Sequence, residues 1–366
     1  MARWLVVVVV VLGGAFLLSQ WFGEESTAEA GEAPGLKVSQ GAVAAQRPES
    51  PEPRAEVASR DSSNLSEGAG GGRRSSAEPA SKSERQEGPS VAALLDRAEA
   101  LHLEGRRADA VALLRDGRGK AESARDQARL GLKLAFLGGG PRERRQLVGE
   151  ALAHRQVLGA EYEEVNALLN QLNTEARSAL TAELKTASYR VRPNDSLWKL
   201  CHRTLPEMHG VEPEVGLIKL LNGLKTDGLQ VDQELVVPLD EIKLVVDREQ
   251  RGLTAWLGTV PVAAFRVGLG KDGSTPSGEF TVQVKQENPA WTFENQTIPF
   301  GDSRNILGTR WLGFEDHPGV TGYGIHGTAK PETIGRDESM GCVRMRNPEV
   351  EALFELVPRG TRVAIP

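Results

Sequence analysis

The sequence predicts a multidomain chain with an α-helical N-terminal region, a small βααβ module and a mostly-β C-terminal domain of sandwich or barrel type. Three observations carry that prediction. Composition breaks near residue 89, where a stretch of Ser, Gly, Pro, Ala and Glu without one Phe, Tyr or Trp gives way to leucine-rich sequence. From Ser90 to about Lys185 apolar residues recur at helical spacing. Beyond Leu244, short runs of strand formers are cut by Gly, Pro or Asn. At 366 residues the chain has room for two or three domains.

Residues 1–23 read as a membrane anchor. Arg3 precedes an apolar run from Trp4 to Phe22 in which only Ser19 and Gln20 are clearly polar, close to the ~20 residues a spanning helix needs. The single Arg before the run and Glu24-Glu25 after it favour an N-terminus inside and the body outside. Ala28-Glu-Ala30 offers small residues at signal-peptidase spacing, so cleaved secretion is the alternative. Both outcomes imply an extracytoplasmic protein, in the periplasm or cell wall. Residues 24–89 cannot bury enough apolar surface to offset their ordering entropy and read as a disordered linker. Its typical span is about 45 Å.

Residues 90–186 form the helical region. Ser90 or Pro89 opens a run with Leu94, Leu95, Ala98 and Leu101 on one face, and Gly105 turns it into Val111, Leu113 and Leu114. One hairpin weakly resembles a tetratricopeptide unit, but a solenoid needs at least three copies. The region reads as a helical spacer whose stripes pack on each other; binding of a protein partner is the alternative.

In residues 187–239, Tyr189 and Val191 alternate like a strand, Pro193-Asn194 turns, and Asp195 or Asn194 can cap a helix beginning near Leu197. A second helix fits Pro213–Leu221, ended by Asn222-Gly223, and Leu229–Pro238 returns as a strand. This order and wording resemble a LysM domain. The resemblance implies binding to N-acetylglucosamine-containing glycans such as peptidoglycan, through Asn194, Asp195, Ser196, Leu197, Asn222, Gly223 and Leu224. Asn194 and Asp232 stand where the family usually has Gly, and Asn and Asp tolerate the positive φ those turns need.

Residues 241–366 carry strand candidates at Leu244–Asp247, Leu253–Leu257, Val260–Val267 and Glu279–Val284. Asn347 is placed to cap a helix with Pro348 in its first turn and Val350, Leu353, Phe354 and Val357 as its buried stripe. Pro358-Arg-Gly360 ends it before a last strand, Arg362–Ile365. A net charge of −6 without a basic stripe argues against nucleic acid as a partner. Two cysteines cannot build a disulfide framework, so Cys201 is expected to be a buried, unpaired thiol. Six scattered histidines, with no pair at ligand spacing, suggest neither metal nor cofactor.

Chemistry points to one pair. Cys342 follows His326 by sixteen positions, each framed by glycine in short polar sequence: Ile325-His-Gly-Thr328 and Ser339-Met-Gly-Cys-Val-Arg344. Cysteine attacks as a thiolate, and imidazole is the usual means of taking its proton near neutral pH. Gly341 lets backbone approach an acyl group so that N–H groups can face an oxyanion. Arg344 offers a planar fork of donors for a carboxylate.

These residues resemble the catalytic domain of the L,D-transpeptidases, the YkuD family of bacterial cell-wall enzymes. Upstream, Thr275-Pro-Ser-Gly-Glu-Phe280, Asn288-Pro-Ala-Trp291 and Asn305-Ile-Leu-Gly-Thr-Arg-Trp311 resemble further landmarks in family order. The resemblance covers residues 241–366. It implies a cysteine acyltransferase acting on peptidoglycan stem peptides, with Cys342 as nucleophile and His326 as base. Ser339, Gly341 and Arg344 would shape the pocket and grip the acyl donor, with Gly327, Tyr323 and Trp291 lining it. Where some relatives have a hydroxyl residue after the histidine this chain has Gly327, so a main-chain carbonyl must orient the imidazole. Met340 replaces a histidine of other relatives and can only pack.

Overall fold

The computed structural model describes residues 89–294 and 296–366. The anchor expected at 1–23 and nearly all of the linker expected at 24–89 lie outside the described residues. Among the described residues no helix is long and apolar enough to cross a membrane.

The helical region comprises α1 (Val91–Leu103), α2 (Arg107–Lys120), α3 (Ala124–Leu137), α4 (Pro141–Ala153), α5 (Glu161–Glu175) and the short α6 (Arg177–Thr181). Ser90 opens α1 as expected, its Oγ accepting the Ala93 N–H at 3.3 Å. Leu94, Ala98, Leu101, Leu114, Leu130, Leu134, Leu147 and Leu169 meet in one core. That core also contains Trp256 and Ala264 from the C-terminal domain. The expectation of a spacer packed only on itself is therefore corrected: the helices are a layer on the β domain.

The LysM-like segment pairs β1 (Thr186–Arg190) antiparallel to β2 (Glu234–Pro238). Between them run α7 (Leu197–Lys199), a π-helical turn (Leu200–Thr204), α8 (Leu205–His209) and α9 (Val215–Asn222). Asn194 and Asp232 adopt φ of 67° and 66°, the left-handed turns expected of residues in place of glycine. The capping assignment changes, because Ser196 caps α7 by accepting the Lys199 N–H at 3.2 Å. Asp195 instead accepts from the Tyr189 hydroxyl at 2.7 Å and the Arg192 N–H at 2.8 Å.

The β domain holds β3 (Ile242–Asp247), β4 (Gly252–Leu257), β5 (Val260–Arg266), β6 (Leu269–Gly270) and β7 (Gly278–Glu287). It continues with the ribbon β8 (Trp291–Phe293) and β9 (Gln296–Ile298), then β10 (Arg310–Phe314), β11 (Gly324–His326), β12 (Asp337–Ser339) and β13 (Val343–Arg344). Helix α10 (Asn347–Phe354) and β14 (Arg362–Ile365) close it. Eight strands form one sheet in the order β13-β11-β10-β7-β14-β3-β4-β5. The pairs β11–β13 and β14–β3 are parallel and the rest antiparallel. Val350, Leu353, Phe354 and Val357 are buried as the helical stripe predicted.

Strands β4 and β5 are buried on both faces, which explains why they read as unbroken apolar runs. Leu253, Ala255, Val262 and Phe265 face the sheet core, while Trp256 and Ala264 face the helices. At the sheet edge, side chains replace the missing neighbour strand. Asn166 Oδ1 accepts the Ala264 N–H at 3.2 Å, and Asn173 Nδ2 donates to Val262 O at 2.9 Å. Arg145 Nη1 donates to Pro261 O at 3.1 Å and to Asn173 Oδ1 at 2.9 Å.

Candidate active site

His326 ends β11, and β13 runs parallel beside it with Ile325 opposite Val343 and His326 opposite Arg344. Ile325 and Val343 are fully buried in the core. Alternation along each strand then turns His326, Arg344 and the adjoining Cys342 to the other face. The Met345 N–H donates to His326 O at 2.8 Å, while Gly268 and Arg344 exchange backbone bonds at 2.8 and 2.9 Å. The corner is thus fixed by main-chain bonds from three segments.

The imidazole is almost completely buried, with 1% exposure. Its Nδ1–H donates to the Gly327 carbonyl at 2.5 Å, the main-chain partner expected where no hydroxyl follows the histidine. Burial pulls its pKa down to about 4, and the Arg344 charge adds to this; the carbonyls of Gly327 and Leu307 oppose it by favouring the protonated ring. At neutral pH the ring is therefore uncharged and able to accept a proton.

Cys342 is partly exposed. Its Sγ lies 3.8 Å from Gly322 O, within hydrogen-bonding reach for a thiol. Burial pushes the thiol up, while the Gly324 N–H and the Arg344 charge favour the thiolate. Burial thus favours the uncharged form of both groups, a neutral thiol at Cys342 and a neutral imidazole at His326. Cys201 is the contrast: it has no exposed surface, and burial together with Glu214 and Glu212 pushes it up to about 12. Both thiols are free.

The structure brings Ser339, Gly341, Tyr323, Arg344 and Gly327 to this corner. Ser339 Oγ donates to Cys342 O at 2.7 Å and accepts the Gly341 N–H at 3.0 Å, so the hydroxyl braces the cysteine loop from inside. The Gly341 N–H is consequently already bonded. Gly341 has φ of 132°, and an added Cβ would lie 2.4 Å from the Tyr323 ring and 2.9 Å from Ser274 O. Burial lowers the Arg344 guanidinium, and its Nε is buried with no partner among the described residues. Trp291 stands on the separate β8–β9 ribbon, stacked on Phe293 at 4.9 Å between ring centroids. Met340 is 60% exposed, so packing, the one role left to it, is largely unfilled.

Asn347 is placed differently from the expected cap. Arg346 occupies the cap position of α10, its N–H donating to Glu349 Oε2 at 3.3 Å. Asn347 Oδ1 turns back to accept N–H groups from Thr309 at 3.3 Å and Thr328 at 3.1 Å. An Asn-Pro pair before an apolar stripe signals a helix start, and nothing local signals that long-range contact.

In the LysM-like segment three expected glycan contacts are spent on the fold. Asp195 holds Tyr189 and Arg192, Leu197 is buried, and Asn222 donates to Ile218 O and Val236 O while accepting the Val236 N–H. Asn194 and Ser196 are exposed, whereas Gly223 and Leu224 are partly buried.

The chain matches two family models and several known proteins. The L,D-transpeptidase catalytic domain (YkuD) model matches residues 241–365, and the LysM domain model matches 189–238. The putative L,D-transpeptidase YqjB of Bacillus subtilis (strain 168) is 44% identical over 125 residues, covering 33% of this chain and 69% of that protein. The putative L,D-transpeptidase YkuD of Bacillus licheniformis is 30% identical over 186 residues, covering 48% of this chain and 97% of the relative. Among solved structures, an L,D-transpeptidase from Mycobacterium smegmatis aligns at 17% identity and a TM-score of 0.30, over 37% of this chain and 64% of that one.

Proposed function

We infer the reaction from a premise the relatives supply: the chain belongs to the L,D-transpeptidase (YkuD) family and carries a LysM domain. The proposed reaction is acyl transfer between peptidoglycan stem peptides through a cysteine thioester. The observation that supports it is that Cys342 immediately precedes β13, the strand paired beside His326 on β11, with the imidazole neutral and oriented by Gly327 O.

In the first half-reaction Cys342 Sγ attacks the carbonyl of the third residue of a tetrapeptide stem, at the L-centre of its diamino acid. His326 takes the thiol proton and delivers it to the departing D-alanine amine. The C–N bond breaks as the C–S bond remains, leaving a thioester. In the second half an amine of a neighbouring stem attacks that thioester. His326 removes the amine's proton and returns it to sulfur, giving a 3→3 cross-link and free thiol. Two amides are exchanged without net energy input. Water in place of the amine would make the same site an L,D-carboxypeptidase.

Arg344 supports donor binding through its guanidinium, and Tyr323, Gly327 and Gly341 shape the approach to sulfur. Ser339 acts through the loop it braces. Trp291 is assigned to the substrate cleft from its family landmark. The LysM domain would hold glycan strands, through the exposed Asn194 and Ser196 and the backbone around Asp195, Leu197 and Asn222–Leu224. An enzyme with these substrates works outside the cytoplasm, in keeping with an apolar segment at 1–23 that would anchor it.

The test is mass analysis after incubation with purified disaccharide-tetrapeptides. The intact chain should give cross-linked dimers and free D-alanine, and should gain one carbapenem mass on Cys342. Cross-linked product from the Cys342→Ala chain would refute the assignment.

A further inference from the structure

Resting on the proposed role of His326 as base, we propose that Asn347 is a positioning residue for that imidazole, acting through the peptide between Gly327 and Thr328. The Gly327 carbonyl and the Thr328 N–H belong to a single planar trans peptide, so they point in opposite directions. On one side the carbonyl accepts Nδ1–H of His326 at 2.5 Å. On the other the N–H donates to Asn347 Oδ1 at 3.1 Å. The four groups form a chain, Asn347 Oδ1 to Thr328 N–H to Gly327 C=O to His326 Nδ1–H.

Two glycines make this chain sterically possible. A Cβ on Gly327 would lie 2.2 Å from Asn347 Oδ1, and one on Gly308 would lie 2.3 Å from the same oxygen and 2.6 Å from the Gly327 carbonyl carbon. No side chain fits at either position without displacing the carboxamide. A second bond, from the Thr309 N–H at 3.3 Å, holds the oxygen from the other loop. The Gly327 N–H is itself bonded to Arg310 O at 3.2 Å, so the peptide is restrained on both flanks.

Two consequences follow. Fixing the peptide plane fixes where the carbonyl sits, and with it the ring rotation that presents Nε2. Hydrogen bonds in series also polarise one another, so donation to Asn347 makes the Gly327 oxygen a better acceptor and the imidazole a better base. Losing the Asn347 acceptor weakens the base and lowers the pH at which it protonates.

The experiment measures the rate of Cys342 alkylation by iodoacetamide from pH 3.5 to 8 in the full chain, with D-alanine release as a second readout. Four chains are compared: unaltered, His326→Gln, Asn347→Ala and Asn347→Asp. Asn347→Ala is expected to slow both reactions about tenfold, the worth of one lost hydrogen bond, and to move the acid limb of the profile to lower pH. Asn347→Asp keeps an acceptor oxygen and should restore the rate to within about threefold. Should the alanine chain melt before the assay temperature, Asn347→Ser serves as the second variant, with the same slowing and acid-limb shift expected. An unaltered profile in a folded Asn347→Ala or Asn347→Ser chain, or no rescue by Asn347→Asp, overturns the proposal. If His326→Gln leaves the profile untouched, the base assignment itself falls and this inference with it. That result separates the two failures.

Discussion

The two ends of the eight-stranded sheet are treated in opposite ways. At β5 the open edge is sealed: Asn166, Asn173 and Arg145 supply hydrogen bonds to Ala264, Val262 and Pro261. Arg145 and Asn173 are nearly inaccessible there. At β13 the last strand is two residues long, and the adjoining loop leaves the sulfur of Cys342, next to Gly341, partly exposed. An unpaired edge invites association with another chain, so covering it with helices protects the sheet. Polar groups at the sealed end are buried in bonds to the sheet edge, and those at the open end surround a partly exposed thiol.

That division can be broken experimentally. The largest effect is expected at the open end: Cys342→Ala should lower cross-link formation by at least about 10³-fold, with the melting temperature unchanged. Cys201→Ala should leave the rate alone, and equal losses in the two variants would collapse the distinction. At the sealed end, Asn173→Ala leaves the Val262 carbonyl and a buried guanidinium short of partners. It should cost about 2–4 kcal/mol in urea unfolding, while the alkylation rate of folded molecules stays the same. A changed rate would mean that the helical layer shapes the site. The ion pair between Glu163 of α5 and Arg346, at 2.7 Å, links that layer to the segment following β13.

Gly341→Ala sharpens the open end by testing space. Its φ and the approach of Tyr323 should make the alanine chain about 1–3 kcal/mol less stable and slower to alkylate. The most gradual effect is on pH. Because the folded pKa of His326 lies near 4, below its ordinary 6.5, the unfolded chain binds the extra proton first. The stability tied to the neutral ring is full above about pH 6.5 and is lost as pH falls toward 4, with a slope no steeper than about 1.4 kcal/mol per unit. His326→Gln should flatten that slope, and an unchanged slope would show that the ring is not buried in solution.

Much of the C-terminal domain was legible because its signals are local. Arg362–Ile365 is a strand at the expected bounds, and the 350, 353, 354 and 357 stripe packs as its spacing required. Gly327 pointed to a main-chain partner for His326, and that partner is its own carbonyl. The π-helical turn at Leu200–Thr204 was not visible, since extra length between two helices does not say how the backbone absorbs it. Asp195 and Asn222 read as contact residues because polar residues in turns are usually exposed. Here their side chains bond backbone and hydroxyl groups brought close only by folding.

The amino-acid order by itself determined which residue types make up the candidate site, how far apart they stand in the chain and which periodicities build the strands and helices around them. Three matters were decided only in three dimensions: that the leucine-rich helices cover a sheet edge, that Cys342 Sγ lies near Gly322 O, and that Asn347 reaches across to residues 309 and 328. The physical reason is that periodicity and turn chemistry act over a few residues. Burial and long-range hydrogen bonds depend on which distant segments the fold brings together.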